Sequence, residues 1–123
     1  MNIPIGVDYI FTIQVLVPES FDVLDVTGYT GTFTVYRRED MSNTPIDDIA
    51  VNPVAGEELN GKMSCTIPAS LTNGMTVPPE DIGYPADSYY IKSRHEGFIH
   101  ITKSGENDIN VKVPRVRFFY TGG

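Results

Sequence analysis

The chain has 123 residues, 41% of them apolar and 20% charged, with a net charge of −7 and a single cysteine. That length fits one domain, 1–123, with a core large enough to stand without staples, and one thiol allows no internal disulfide. The acidic balance argues against phosphate neutralisation, so no nucleic-acid partner is expected. No apolar run reaches the roughly 18 residues of a membrane span, and "MNIPIGVDYIF" lacks the basic and apolar parts of a secretory signal.

Period-2 alternation then runs through the chain. "DYIFTIQVLV" puts Tyr9, Phe11, Ile13, Val15 and Val17 on one side and Ile10, Thr12, Gln14 and Leu16 on the other. Both sides are fairly apolar, which predicts a central strand or one covered on two faces. Pro18 ends it. After the Asp-, Gly- and Thr-rich "FDVLDVTGYTG", "TFTVYRR" predicts a strand with Phe33 and Val35 facing one way. "REDMSNTP" reads as a turn. "IDDIAVNPV" reads as a short polar edge strand, its carboxylates and Pro53 discouraging edge pairing.

Asn60-Gly61 is the strongest short hairpin signal. "KMSCTI" follows, with Met63, Cys65 and Ile67 turned inward. "PASLTNG" predicts one helical turn closing at Gly74, and "MTVPPEDIGYPADS" a long irregular loop. "SYYIKSR", a turn at "HEG", and "FIHITK" predict a hairpin. "SGEND" turns into the last strand. There Ile109, Val111 and Val113 share one parity, whereas Val116, Phe118 and Tyr120 share the other, so a bulge or kink is expected at Pro114. About seven strands with frequent turns predict an all-β fold, a single antiparallel β-sandwich of immunoglobulin-like type.

Constellations that carry chemistry are missing, so neither catalysis nor a cofactor is expected. His95 and His100 are separated by the expected turn, and one Cys without CxxC or HxxxH gives no transition-metal set. The pairs Glu39-Asp40, Asp47-Asp48, Glu57-Glu58 and Glu80-Asp81 lack the spacing of a calcium loop and suit solubility and edge protection. No GxSxG elbow and no phosphate-cradling loop occur.

Charge is uneven. Residues 1–92 carry 13 acids against 4 bases, a balance of −9, while residues 93–123 carry 5 bases against 3 acids, a balance of +2. An acidic face of one copy meeting a basic face of another would fit this, as would a scattered solvated surface. Arg115, Arg117 and Phe119 are expected to face outward beside Tyr120 as an interaction stripe, because arginine and aromatics anchor interfaces. Tyr84, Tyr89 and Tyr90 form a second candidate contact surface near the long loop.

The succession "VDYIFTIQV", "FDVLDVTGYTGTFTVYRRED", "NGKMSCTIPASLTNG" and "YYIKSRHEGFIHITKSGENDINV" resembles the N-terminal domain of phage upper-baseplate proteins, small β-sandwich proteins of tailed-bacteriophage particles. Asp25-Val26-Thr27-Gly28 stands at that family's aspartate-rich signature, and Gly61-Lys62-Met63 with Leu71-Thr72 at its second. The resemblance implies a non-enzymatic virion protein, made in the host cytoplasm, that contacts other virion proteins and copies of itself. The Pro78–Pro85 loop is additional, and the family's linker and receptor-binding module do not follow. Both departures favour a head decoration, neck or tail accessory protein over a baseplate arm. A carbohydrate- or receptor-binding module using the tyrosine-lined loop is the alternative.

Overall fold

Seven strands form among the described residues, all but the first where apolar residues alternate: β1 (Asn2–Ile5), β2 (Tyr9–Gln14), β3 (Thr30–Arg37), β4 (Ile46–Pro53), β5 (Lys62–Ile67), β6 (His95–Thr102) and β7 (Ile109–Tyr120), with one helical turn, α1 (Ala69–Thr72). The structure is a computed structural model that describes residues 1–38, 44–73, 75 and 95–120. The long loop beyond Met75, the strand expected at "SYYIKSR", the turn residues 39–43 and Gly74 lie outside the described residues.

The all-β expectation holds, but the seven described strands are not the seven expected: β1 carries no alternation signal, "SYYIKSR" lies outside the described residues, and the sheet is mixed rather than wholly antiparallel. The strands make one mixed sheet in the order β1-β7-β6-β3-β4-β5-β2. Every neighbouring pair is antiparallel except β1 with β7, which is parallel. The two edge strands, β1 and β2, are consecutive in the chain, and only residues 6–8 separate them. Four residue steps reach at most about 14 Å, whereas the edges of a flat seven-stranded sheet would lie about 29 Å apart. The sheet therefore curls until its edges approach, and it is nearly barrel-shaped. Two hydrogen bonds hold the turn against α1. Gly6 N–H donates to the Thr72 hydroxyl at 2.9 Å, and Ala69 N–H to the Asp8 carboxylate at 2.7 Å.

The inward residues are those the alternation selects. Phe33 and Val35 on β3, Met63, Cys65 and Ile67 on β5, Ile99 and Ile101 on β6, and Val116 and Phe118 on β7 are all buried. Phe11 of β2 meets Phe33 edge-on at 5.1 Å. Each such side chain contributes about 1.5–3 kcal/mol by leaving water.

The phase change in β7 is a bulge. His95 pairs with Val116 but Gly97 with Val113, so one residue of β6, Glu96, faces two of β7, Pro114 and Arg115. The extra residue returns Val116 and Phe118 to the core. Pro114 is tolerated there because, among the described residues, the side of β7 away from β6 has no paired strand until Arg117 meets Asn2 of β1.

Four expectations are corrected. β2 is an edge strand rather than a central one: Ile10 on its outer side is 65% exposed. β4 is interior, between β3 and β5, and its adjacent carboxylates mark a bulge. Phe33 pairs with Ile49 but Val35 with Ile46, and Asp48 takes φ +51° with its N–H on the Thr34 hydroxyl. "HEG" is not a turn but the start of β6, with His95 buried and edge-on to Phe118 at 5.1 Å. The connection at Asn60-Gly61 is longer than a two-residue hairpin, since a 3-10 turn over Glu58–Asn60 precedes Gly61.

Burial settles the chemistry of the lone thiol. Cys65 is 1% exposed, and desolvation pushes its pKa up to about 11, which leaves almost no thiolate at neutral pH. The folded protein is expected to resist a bulky thiol reagent until denaturant is added. Cys65→Ala should cost about 1–2 kcal/mol by denaturant midpoint without loss of any binding activity. Rapid labelling of the native protein would contradict this.

Candidate interaction surfaces

The first surface is a groove where the barrel fails to close. Among the described residues no strand pairs with the outer edge of β2 or with the side of β7 away from β6 over residues 109–113, and these two edges face each other across it. Ile13, Val15, Leu16, Phe21, Ile99 and Val111 are among the side chains that line a cavity of about 500 Å³. Leu16 and Val111 are about two-fifths exposed and Phe21 three-quarters. A cluster of this kind on a soluble domain marks a contact surface more often than a scattered apolar residue does.

The local chain explains why Phe21 stands out. Val17 N–H donates to Asp22 C=O at 2.7 Å and Phe21 N–H to Val17 C=O at 2.9 Å, while Leu16 bridges to Val23. This tight reversal puts Glu19 at φ +78° and Phe21 at φ +61°. A bulky residue with positive φ is costly and persists only where its surroundings impose it. Here the strain displays a ring to solvent. At one end of the groove Glu19, Glu106 and Asp108 gather beside Val17, Pro18 and Ile109, so an acidic mouth adjoins the apolar floor.

The second surface is the outer face of β4-β3-β6-β7. Thr34, Tyr36, Thr44, Asp47, Asp48 and Phe98 bound a shallow hollow on it of about 530 Å³. The Tyr36 hydroxyl donates to Glu96 at 2.7 Å and holds that carboxylate below its usual range; Lys112 and Arg38, each 3.4 Å away, act in the same sense. Glu96 in turn raises the Tyr36 pKa. His100 lies 2.6 Å from Asn110 Oδ1 and 3.6 Å from Asp108, which ties β6 to β7.

The sequence-predicted stripe belongs to this face. Arg115 and Arg117 are exposed on β7, and Phe119 between them and the chain's end is partly buried. No acidic side chain among the described residues lies within ion-pair distance of either arginine. Tyr120 occupies the last position of β7, opposite Ile5 of β1, with only its backbone described. Tyr84, Tyr89 and Tyr90 lie outside the described residues. Alternation alone placed the arginines outward. Phe21 and the groove were missed, because a positive φ and a gap between distant strands leave no local sequence signal. Among the described residues no group of three His, Cys, Asp or Glu side chains is placed to hold a metal ion.

Comparison with protein-family models and with curated proteins finds no match.

Proposed function

We propose that the protein is a non-enzymatic structural component of a tailed-phage particle, a head decoration, neck or tail accessory protein that works through protein–protein contacts. The phage context rests on the resemblance of its strand signals to upper-baseplate N-terminal domains. With it goes an immunoglobulin-like description of the fold, in which β1-β7-β6-β3 and β4-β5-β2 face each other across the core. Phe11 packed on Phe33 supports that pairing of halves.

The observation that carries the contact role is Phe21, strained into positive φ and three-quarters exposed at the lip of an apolar groove. The groove suits an extended segment of a neighbouring virion protein, with apolar side chains on the floor and a basic residue at the acidic mouth. Backbone groups of β7 over residues 109–113 are there to pair with it.

Phe21→Gly separates folding from docking. Glycine adopts positive φ freely, so the variant should match the wild type within about 1 kcal/mol in a denaturant titration. Co-elution with the particle proteins encoded beside it should fall sharply. A stability loss of several kcal/mol would make Phe21 a packing residue, and unchanged co-elution would remove the groove from the contact.

A further inference from the structure

The outer face carries two opposite charges at its two margins. β4 contributes Asp47 and Asp48, whereas β7 contributes Arg115 and Arg117, all exposed, with exposed Lys112 beside them already engaged by Glu96 of β6 at 3.4 Å. Phe98, 38% exposed, and Tyr36 lie between them. Because β3 and β6 separate β4 from β7, the margins stand roughly 14 Å apart within one molecule. They cannot satisfy each other. Asp48 accepts only from Thr34, and Arg115 and Arg117 have no acidic neighbour among the described residues.

We infer that this face pairs with the same face of a second copy about a two-fold axis. A two-fold lying in the plane of the contact and running parallel to the strands lays the acidic margin of each copy on the basic margin of the other, so every contact is made twice. The arginines can then grip carboxylates with two parallel N–H bonds, and Phe98 and Tyr36 supply apolar area in the middle. Net repulsion between chains of −7 opposes this only weakly at physiological salt, where charges more than about 8 Å apart are screened. The inference deepens the assembly role proposed above, but it is read on the pure protein alone, so it can fail while groove docking stands.

Charge exchange tests it. Sedimentation velocity across a concentration series at physiological salt is expected to show a monomer–dimer equilibrium for the wild type. One variant combines Arg115→Glu with Arg117→Glu. The other combines Asp47→Lys with Asp48→Asn, since asparagine tolerates the positive φ of the bulge and keeps an acceptor for Thr34. Each alone should weaken dimerisation about tenfold or more, with unchanged circular dichroism. Mixed in equal amounts they should form a heterodimer tighter than either homodimer, because acid then meets base at both margins. A strictly monomeric wild type, variants that dimerise normally, or a mixture that stays monomeric would each overturn the inference; the last would point the stripe at an acidic partner of another kind.

Discussion

Phe33→Ala is expected to remove about 3–5 kcal/mol of folding stability, read as a lower denaturant midpoint at unchanged slope. Phe33 sits at the middle of the sheet, on β3 between β4 and β6, and has no solvent exposure. Its ring meets Phe11 from across the curl at 5.1 Å. On the other side the chain has made room for it. A Cβ on Gly97 would stand 2.8 Å from Phe33 Cε1 and 3.2 Å from Val113 Cβ. Removing the ring therefore leaves a cavity between three strands that rigid β-pairing cannot collapse. Gly97→Ala in the wild type should also destabilise, whereas Gly97→Ala in the Phe33→Ala background should cost much less, because the new methyl enters the vacated space. Additive effects of the two changes would show that ring and glycine are not packed as described.

Gly61→Ala should cost about 3–5 kcal/mol, combining backbone strain with overpacking. Gly61 has φ +69° where the chain enters β5. A Cβ there would lie 2.8 Å from both the Val15 and Leu24 carbonyl oxygens and 2.9 Å from Val23 Cγ1. Those carbonyls cannot retreat cheaply. Val15 N–H donates to Gly61 C=O at 2.8 Å, and Leu24 N–H to Val15 C=O at 3.0 Å, so three segments are bolted together at one point. Gly56 provides the control: it has φ +81° but nothing within 4 Å of its ideal Cβ. Gly56→Ala should cost only about 1 kcal/mol, the conformational part alone. Equal losses at the two positions would refute the crowding argument.

The sequence made local facts visible and hid non-local ones. The inward sets on β3, β5 and β7 followed from alternation, and so did the bulge at Pro114, because a parity change inside one strand is a property of the strand itself. Gly97 misled because glycine signals a turn when only neighbours in sequence are considered; its purpose is to admit Phe33 from the adjacent strand. Asp47 and Asp48 suggested an edge, yet β4 tolerates them in the interior of the sheet through a bulge that turns both to solvent. β1 gave no strand signal at all. Four residues containing a proline become a strand only because β7 lies alongside. The candidate surfaces divide the same way: outward arginines were legible, whereas the Phe21 groove exists only once β2 and β7 are brought face to face.

The parallel pairing of β1 with β7 has a mechanical consequence. Asn2 lies opposite Arg117 and Ile5 opposite Tyr120, with Met1 N donating to Arg115 C=O and Arg117 N–H to Met1 C=O, both at 2.8 Å. A pull entering at residue 1 and leaving at residue 120 runs along the two strands in opposite senses. Neither strand can peel away from its end; one must slide past the other. The bonds between them are then loaded in shear, sharing the force rather than failing in sequence as they would in an unzipping hairpin. The outermost pair of the sheet is thus oriented as a clamp against tension along the chain.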